Sequence, residues 1–191
     1  SAERIALAAA LLARLAGQGE CDLALRPAGH PEAGGIVADW QPLAVAASGT
    51  STLADLGAGL SARITDQAKR GFFLSDLTHR APELREVATP DLAISLAARG
   101  PVEGAALTVT LTDQGAWLDH DPARIPAAQA QRLARALDAG LALPGVTLLR
   151  DIPLMDAAER EDLLIARNAT QADVRLACIH QLIAEKAGEA P

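Results

Sequence analysis

The 191-residue sequence has no tyrosine, two phenylalanines, two tryptophans, one methionine and two cysteines. With so few rings, any core must be built from Leu, Ala, Val and Ile, which the 50% hydrophobic content supplies. Ala-rich, aromatic-poor usage of this kind accompanies GC-rich coding sequences and carries no functional information. Basic residues are also in deficit: 17 Lys and Arg face 24 Asp and Glu, a formal net charge of −7. No basic stripe occurs, which excludes a nucleic-acid interface, because phosphate contacts need clustered Lys and Arg. The acidity instead favours solubility. No apolar run reaches membrane-spanning length, and no signal-peptide pattern is present. The first segment is apolar but carries Glu3, Arg4 and Arg14 at helical intervals. A reduced, cytoplasmic protein with no membrane or nucleic-acid partner is expected. Ser1-Ala2 reads as a tag remnant. Cys21 and Cys178 form no CxxC pair. The sequence leaves a disulfide between them open, and two buried free thiols are the expectation.

Site chemistry is equally sparse. His30, His79, His120 and His180 are too dispersed for a compact metal motif, since no two lie three or four residues apart. Asp119-His120-Asp121 invites an acid–base or metal reading, because a carboxylate can orient an imidazole. Neighbours in a strand point to opposite faces, however, so a solvated strand end is the expectation. There is no GxSxG elbow for a serine nucleophile. Gly34-Gly35 and the Gly57/Gly59 pair do not build a dinucleotide or phosphate loop. No catalytic residue, metal site or bound cofactor is therefore assigned.

What is present is hydrophobic periodicity, over a length sufficient for one domain with a short appendage. Residues 2–16 read as an amphipathic helix with Ile5, Ala8, Leu12 and Leu15 on one face and Gly17 as its stop. Residues 21–25 form a buried strand, 27–35 a Pro/Gly loop, and 36–47 a strand that Pro42 confines to an edge or bulge. Thr50-Ser51-Thr52 caps a helix over 53–69 with Leu53, Leu56, Leu60 and Ile64 as its stripe. Gly57 and Gly59 inside it cost about 1 kcal/mol each against Ala, which points to close backbone packing. A strand follows over 91–98. Leu107, Val109 and Leu111 then alternate with threonines, turn at 113–115, and continue through 116–120 as a β-hairpin. The helix 127–141 is its expected cover. Asp156 and Glu159 have capping-box spacing and open a short helix to about residue 167. A polar stretch over 168–173 precedes a last amphipathic helix over 176–187. The elements fit an α/β architecture, an α+β sandwich with a mixed sheet and helices packed mainly on one face.

Residues 148–191, LLRDIPLMDAAEREDLLIARNATQADVRLACIHQLIAEKAGEAP, closely resemble the linker joining a condensation domain to the next adenylation domain in nonribosomal peptide synthetases. The matching positions are Pro153-Leu154, Ala158-Glu159-Arg160, Leu163-Leu164, Asn168-Ala169-Thr170, His180-Gln181-Leu182 and Pro191. Asn168-Ala169-Thr170 also matches a glycosylation sequon, without consequence in a cytoplasmic protein. Upstream the likeness is colinear but thinner. Gly35, Pro42 and Leu43 fall in a "Gly-x-Phe-x-Asn-Thr-x-Pro-Leu" segment whose Phe and Asn-Thr are missing here. Asp76 stands for a "His-x-Asp-x-Pro-Phe-Glu" run, and Arg85 and Pro90 for "Arg-Asp-x-Ser-Arg-x-Pro-Leu". Between residues 98 and 107 there is hardly room for the excursion called the latch.

The resemblance implies half of a chloramphenicol acetyltransferase-like fold. Residues 1–147 would be the C-terminal lobe and 148–191 the linker. The catalytic "His-His-x-x-x-Asp-Gly" motif belongs to the N-terminal lobe and is absent. Asp39 and Trp40 are the implied residues of a former tunnel, Trp40 also reading simply as core. The implied partners are an adenylation domain in the same polypeptide and a carrier domain, whose phosphopantetheine would be the only prosthetic group nearby. Three readings follow: a non-catalytic platform for the adenylation domain; a fragment of an amide-forming condensation domain whose catalytic His lies on the other lobe; and a small binding domain. A lone lobe is also expected to self-associate through its exposed face.

Overall fold

A computed structural model describes residues 2–29, 36–84, 88–97, 99–172 and 177–189, with backbone only at Thr78, His79 and Pro82. His30, Gly34, Gly35, Arg85 and Pro191 therefore lie outside the described residues. The chain divides into two compact units, Ser1–Asp156 and Ala157–Pro191.

The first unit is built on a five-stranded mixed sheet ordered β2-β1-β3-β4-β5, with β1 Glu20–Arg26, β2 Gln41–Ala46, β3 Leu92–Ser95, β4 Leu107–Thr112 and β5 Gly115–His120. Strands β1, β3 and β4 run parallel; β2 and β5 are antiparallel edges. Pro42, which has no N–H to donate, sits in edge strand β2 as its chemistry requires. The outer carbonyls of Pro42 and Ala44 accept bonds from Gln67 and Arg63 of the neighbouring helix, which blunts that edge. The hairpin closes as its alternation predicts, Thr112 opposite Gly115 and Leu107 opposite His120.

Helices α1 (Ala2–Leu15), α2 (Leu53–Arg70) and α4 (Ala127–Gly140) share the core with Leu23, Leu25, Leu43, Val45, Ile94 and the apolar side of β4. One face of the sheet is thus covered by helices. Helix α1 departs from the expected single stripe: every residue from Ala6 to Ala13 is buried. A helix apolar all round has to be enclosed, and α1 is, packed on β1, β3 and β4 and against α2 and α4. Its arginines lie at its ends and reach carbonyls, Arg4 that of Thr112 and Arg14 that of Ile152. Gly17, at φ +70°, ends it in a Schellman turn, with the Gly17 and Gln18 amides bonded to the Arg14 and Ala13 carbonyls.

Three further differences have clear causes. The strand expected over 36–47 is regular only over Gln41–Ala46; Val37 instead bridges Leu74, drawn off by the segment after α2. The cover of the hairpin is shared: α4 packs on β5 as expected, and α1 adds its own packing on β4. Of the two glycines, Gly57 meets the backbone of Ala2, whereas Gly59 faces open space. Thr52 and Asp55 form a reciprocal capping box at the start of α2. Short α3 (Leu77–Arg80) carries an ion pair from Arg80 to Asp76 at 2.6 Å.

The second unit holds α5 (Ala157–Glu161), which widens into a π-helical turn over Asp162–Ala166, and α6 (Ile179–Glu189). Residues 168–172, the polar stretch of the sequence, form neither helix nor strand.

Candidate functional site

Two places gather the residues of interest. The first is the sheet face turned away from the helices. Along β1, Ala24 and Arg26 alternate with the core residues Leu23 and Leu25; along β4, Thr108 and Thr110 alternate with Leu107, Val109 and Leu111. This face is small and polar, and residues 99–106, which connect parallel strands β3 and β4, lie back across it. Val102 packs on Ala24 and Ala93 with Trp40 and Ala105 beside it.

Asp39 is central to this arrangement. Arg26 donates through Nε to Asp39 Oδ1 at 2.8 Å and through Nη2 to Oδ2. The same guanidinium donates to the carbonyls of Gly100 (3.2 Å) and Pro101 (2.8 Å), and Asp39 Oδ2 also accepts the Glu103 amide at 3.0 Å. The pair is largely enclosed, with the Arg26 side chain 12% and the Asp39 side chain 27% exposed. A planar, always-charged guanidinium suits this fork of carboxylate and carbonyl acceptors. Trp40 stands edge-on to Phe73, ring centroids 6.5 Å apart. Farther along the face, the Arg99 guanidinium stacks 4.4 Å from the Trp117 ring centroid.

Asp39 and Trp40 both lie beside residues 99–106, Asp39 bonded to the Glu103 amide and Trp40 packed by Val102. The participants the sequence reading missed are Arg26, Arg99, Trp117 and the threonines of β4. The available signal was Arg26 itself, a cation closing a strand whose other charged residues, Glu20 and Asp22, are acidic.

The Asp119-His120-Asp121 segment serves the turn after β5. His120 Nδ1 lies 3.0 Å from the Ile125 carbonyl oxygen. Asp121 accepts the Ala123 amide at 2.9 Å, holding the turn after β5. His180 is exposed on α6. Among the described residues no three His, Cys, Asp or Glu side chains group so as to hold a metal ion, and no helix is long and apolar enough to cross a membrane. Both cysteines are free, but the expectation of two buried thiols holds for neither in full: Cys21 is half-buried and Cys178 exposed, because α6 encloses nothing. Burial first, and then the Asp22 carboxylate, pushes the Cys21 thiol above its ordinary pKa.

The second place is the segment expected as a linker from residue 148. Its opening residues belong to the first unit: Leu148 bridges Thr52, and Leu149 and Ile152 are buried in the core. Pro153 and Leu154 are exposed, and Asp156 pairs with Arg135 at 3.3 Å. In the second unit Arg160, Leu163, Leu164, Asn168, Thr170 and Leu182 are exposed and Glu159 is half-buried. The Asn168 amide donates to the carbonyls of Leu163 (2.9 Å) and Leu164 (3.1 Å), capping the widened turn. Arg167 pairs with Asp162 at 2.8 Å. The segment therefore has its own polar scaffold but leaves Leu164, Ile165, Ile179 and Ile183 each more than half exposed.

No protein-family model matches the chain, and no curated protein matches it by sequence. Solved structures do match its fold. The starter condensation domain of rhizomide synthetase superposes with a TM-score of 0.57 at 17% identity, over 82% of this chain and 46% of that one. The first condensation domain of the CDA synthetase gives 0.58 at 16%, over 81% and 42%. That of the calcium-dependent antibiotic synthetase, in complex with a substrate analogue, gives 0.57 at 14%, over 81% and 41%. The chain spans less than half the length of each of these. It carries, in partial form, the chloramphenicol acetyltransferase-like α/β fold of nonribosomal peptide synthetase condensation domains.

Proposed function

We propose that this chain is a non-catalytic part of a condensation domain that serves as platform and linker for an adjacent adenylation domain. The observation that carries the reading is the contrast within the tail. Leu149 and Ile152 are fixed in the core of the first unit, whereas Leu164, Ile165, Ile179 and Ile183 beyond it stay exposed. Apolar residues left uncovered on a scaffold held by Asn168 and Arg167 suit a second protein surface. The linker-like positions Pro153, Leu154, Glu159, Arg160, Leu163, Asn168, Thr170, His180 and Leu182 lie in or beside that stretch. The phosphopantetheine of neighbouring carrier domains would be the nearest prosthetic group, and the cytoplasm the compartment.

The test is amino-acid-dependent adenylate formation, and solubility, of the following adenylation domain expressed with and without residues 1–156. Loss of soluble, active adenylation domain without the lobe is expected. Indifference of both readouts to its removal would overturn the platform.

A second reading makes the chain one part of a working condensation domain, in which an amine attacks a carrier-bound thioester to form an amide, positioned at a catalytic His of another lobe. The fold likeness to whole condensation domains, one of them with a bound substrate analogue, favours it. Amide formation between carrier-bound aminoacyl groups by the full-length synthetase distinguishes the two readings, since a platform alone forms none.

A further inference from the structure

We infer that residues 99–106 are a releasable cover over a hydroxyl-lined sheet face, with the Arg26–Asp39 pair as its catch. Beneath and beside the cover stand Ser95, Thr108 and Thr110, each 0% exposed. Ser95 lies opposite Thr110 across β3 and β4, so the hydroxyls form a row. A face closed for good is ordinarily apolar, as the helix-covered face of this same sheet is. Among the described residues Thr110 Oγ1 has no hydrogen-bond partner. Buried polar groups are nearly always satisfied, so an orphan hydroxyl on an interior strand marks a face that is not at its optimum when closed.

The fastening is polar and sits at the rims. Arg26 holds the Gly100 and Pro101 carbonyls, Asp39 the Glu103 amide, and Arg124 the Gly104 carbonyl at 2.9 Å from the far end. Among the described residues Val102 and Ala105 plug the cover into Ala24 and Ala93, and Ala106, bonded to Asp91 and Asp121, anchors its last residue to the sheet. Glycines bracket the fastened stretch, Gly100 at φ +122° and Gly104 at φ +81°, in backbone conformations that side-chain-bearing residues rarely adopt. Segments with few buried apolar contacts and rim-exposed hydrogen bonds open locally, below the free energy of global unfolding. Opening here frees the Gly100 and Pro101 carbonyls from Arg26 and the Glu103 amide from Asp39, leaves the Arg26–Asp39 pair itself in place, and exposes a row of hydroxyls rather than a broad apolar surface.

Hydrogen–deuterium exchange of the full chain tests this. The Val102 amide is the reporter, because its acceptor is Thr108 Oγ1 at 2.9 Å, reached only when the cover is down. In the native protein Val102 and Glu103 should exchange together and faster than Ile94. Asp39→Asn should speed Val102 by about tenfold or more while leaving Ile94 unchanged, since a charged acceptor is weakened at the catch alone. As an independent readout, Thr110→Cys in a Cys178→Ser background should be alkylated slowly, and faster when Asp39→Asn is added. Exchange of Val102 at the same rate as Ile94, or equal acceleration of both by Asp39→Asn, overturns the inference. Exchange in the native background decides the matter even if the cysteine variant fails to fold.

Discussion

Gly57 and Gly59 occupy the same helix two residues apart, and alanine at each should move stability in opposite directions. A methyl group on Gly57 would lie 2.9 Å from both the carbonyl carbon and the oxygen of Ala2, which is backbone and cannot rotate away. At Gly59 it would meet nothing within 4 Å. The intrinsic gain of Ala over Gly in a helix interior, about 1 kcal/mol, is common to both sites and cancels in their comparison. What remains is the overpacking cost at Gly57, on the order of 1–3 kcal/mol. It is borne by α1, whose enclosed run from Ala6 to Ala13 leaves little room to slide. Gly59→Ala should therefore stabilise by roughly 0.5–1 kcal/mol, and Gly57→Ala should fall below it by the full overpacking cost. In urea denaturation this is a shift in midpoint without a change in slope. In thermal melts it separates the variants by about 2–4 °C per kcal/mol for a protein of this size. Equal stabilities for the two variants would refute the close α1–α2 packing and with it the enclosure of α1.

The capping box of α2 makes stability acid-sensitive. The Thr52 side chain, and then its backbone amide, hold the Asp55 carboxyl below the ordinary carboxylate range. A depressed folded pKa contributes stability above the unfolded value that is lost as pH falls through the folded one, so Thr52→Ala should flatten the acid limb of a stability–pH curve. At neutral pH the same variant should lose about 0.5–2 kcal/mol in denaturant titration. Cys21 has the opposite sign: its raised pKa means stability is lost as pH rises through the thiol range, and Cys21→Ala should remove that alkaline loss. Ellman's reagent should react with exposed Cys178 well before Cys21, and equal rates would contradict the placement of Cys21 in β1. Leu149→Ala should cost about 2–5 kcal/mol, as for a filled core site. Leu164→Ala, more than half exposed, should stay within about 0.5 kcal/mol in the chain alone.

Local patterns were readable in the sequence where local energetics decide the structure. The hairpin 107–120 alternates strictly and closes on a two-residue turn, so its register follows from side-chain period alone. The Thr52 cap and the Gly17 stop are equally local. Helix α1 was misread for a reason its composition hides. Alanines at Ala6, Ala9, Ala10 and Ala13 look neutral in a search for one apolar stripe, yet their small size is what lets several elements close around a helix. Cys178 failed for a similar reason, since an apolar stripe on α6 gives no sign of whether anything in the chain covers it.

The polar face shows the harder limit. Asp39 and Trp40 stood out in sequence only by position within a family pattern, and neither suggested Arg26 as a partner. The pairing exists because β2 runs antiparallel to β1 with Gln41 opposite Leu25, which sets Asp39 beside Arg26, while the parallel run of β1 with β3 brings the connection leaving β3 to the same guanidinium, where Gly100 and Pro101 present their carbonyls. Parallel neighbours leave no local trace in a sequence, because their register depends on what crosses between them. The short stretch between residues 98 and 107, read as too brief for a latch, has a definite structural use. At this length it can do little more than return from the end of β3 to the start of β4, and it makes that return across its own sheet. The shortness that weakened the family likeness is therefore the same property that covers Thr108 and Thr110, and it ties whatever this face does to the Arg26–Asp39 pair.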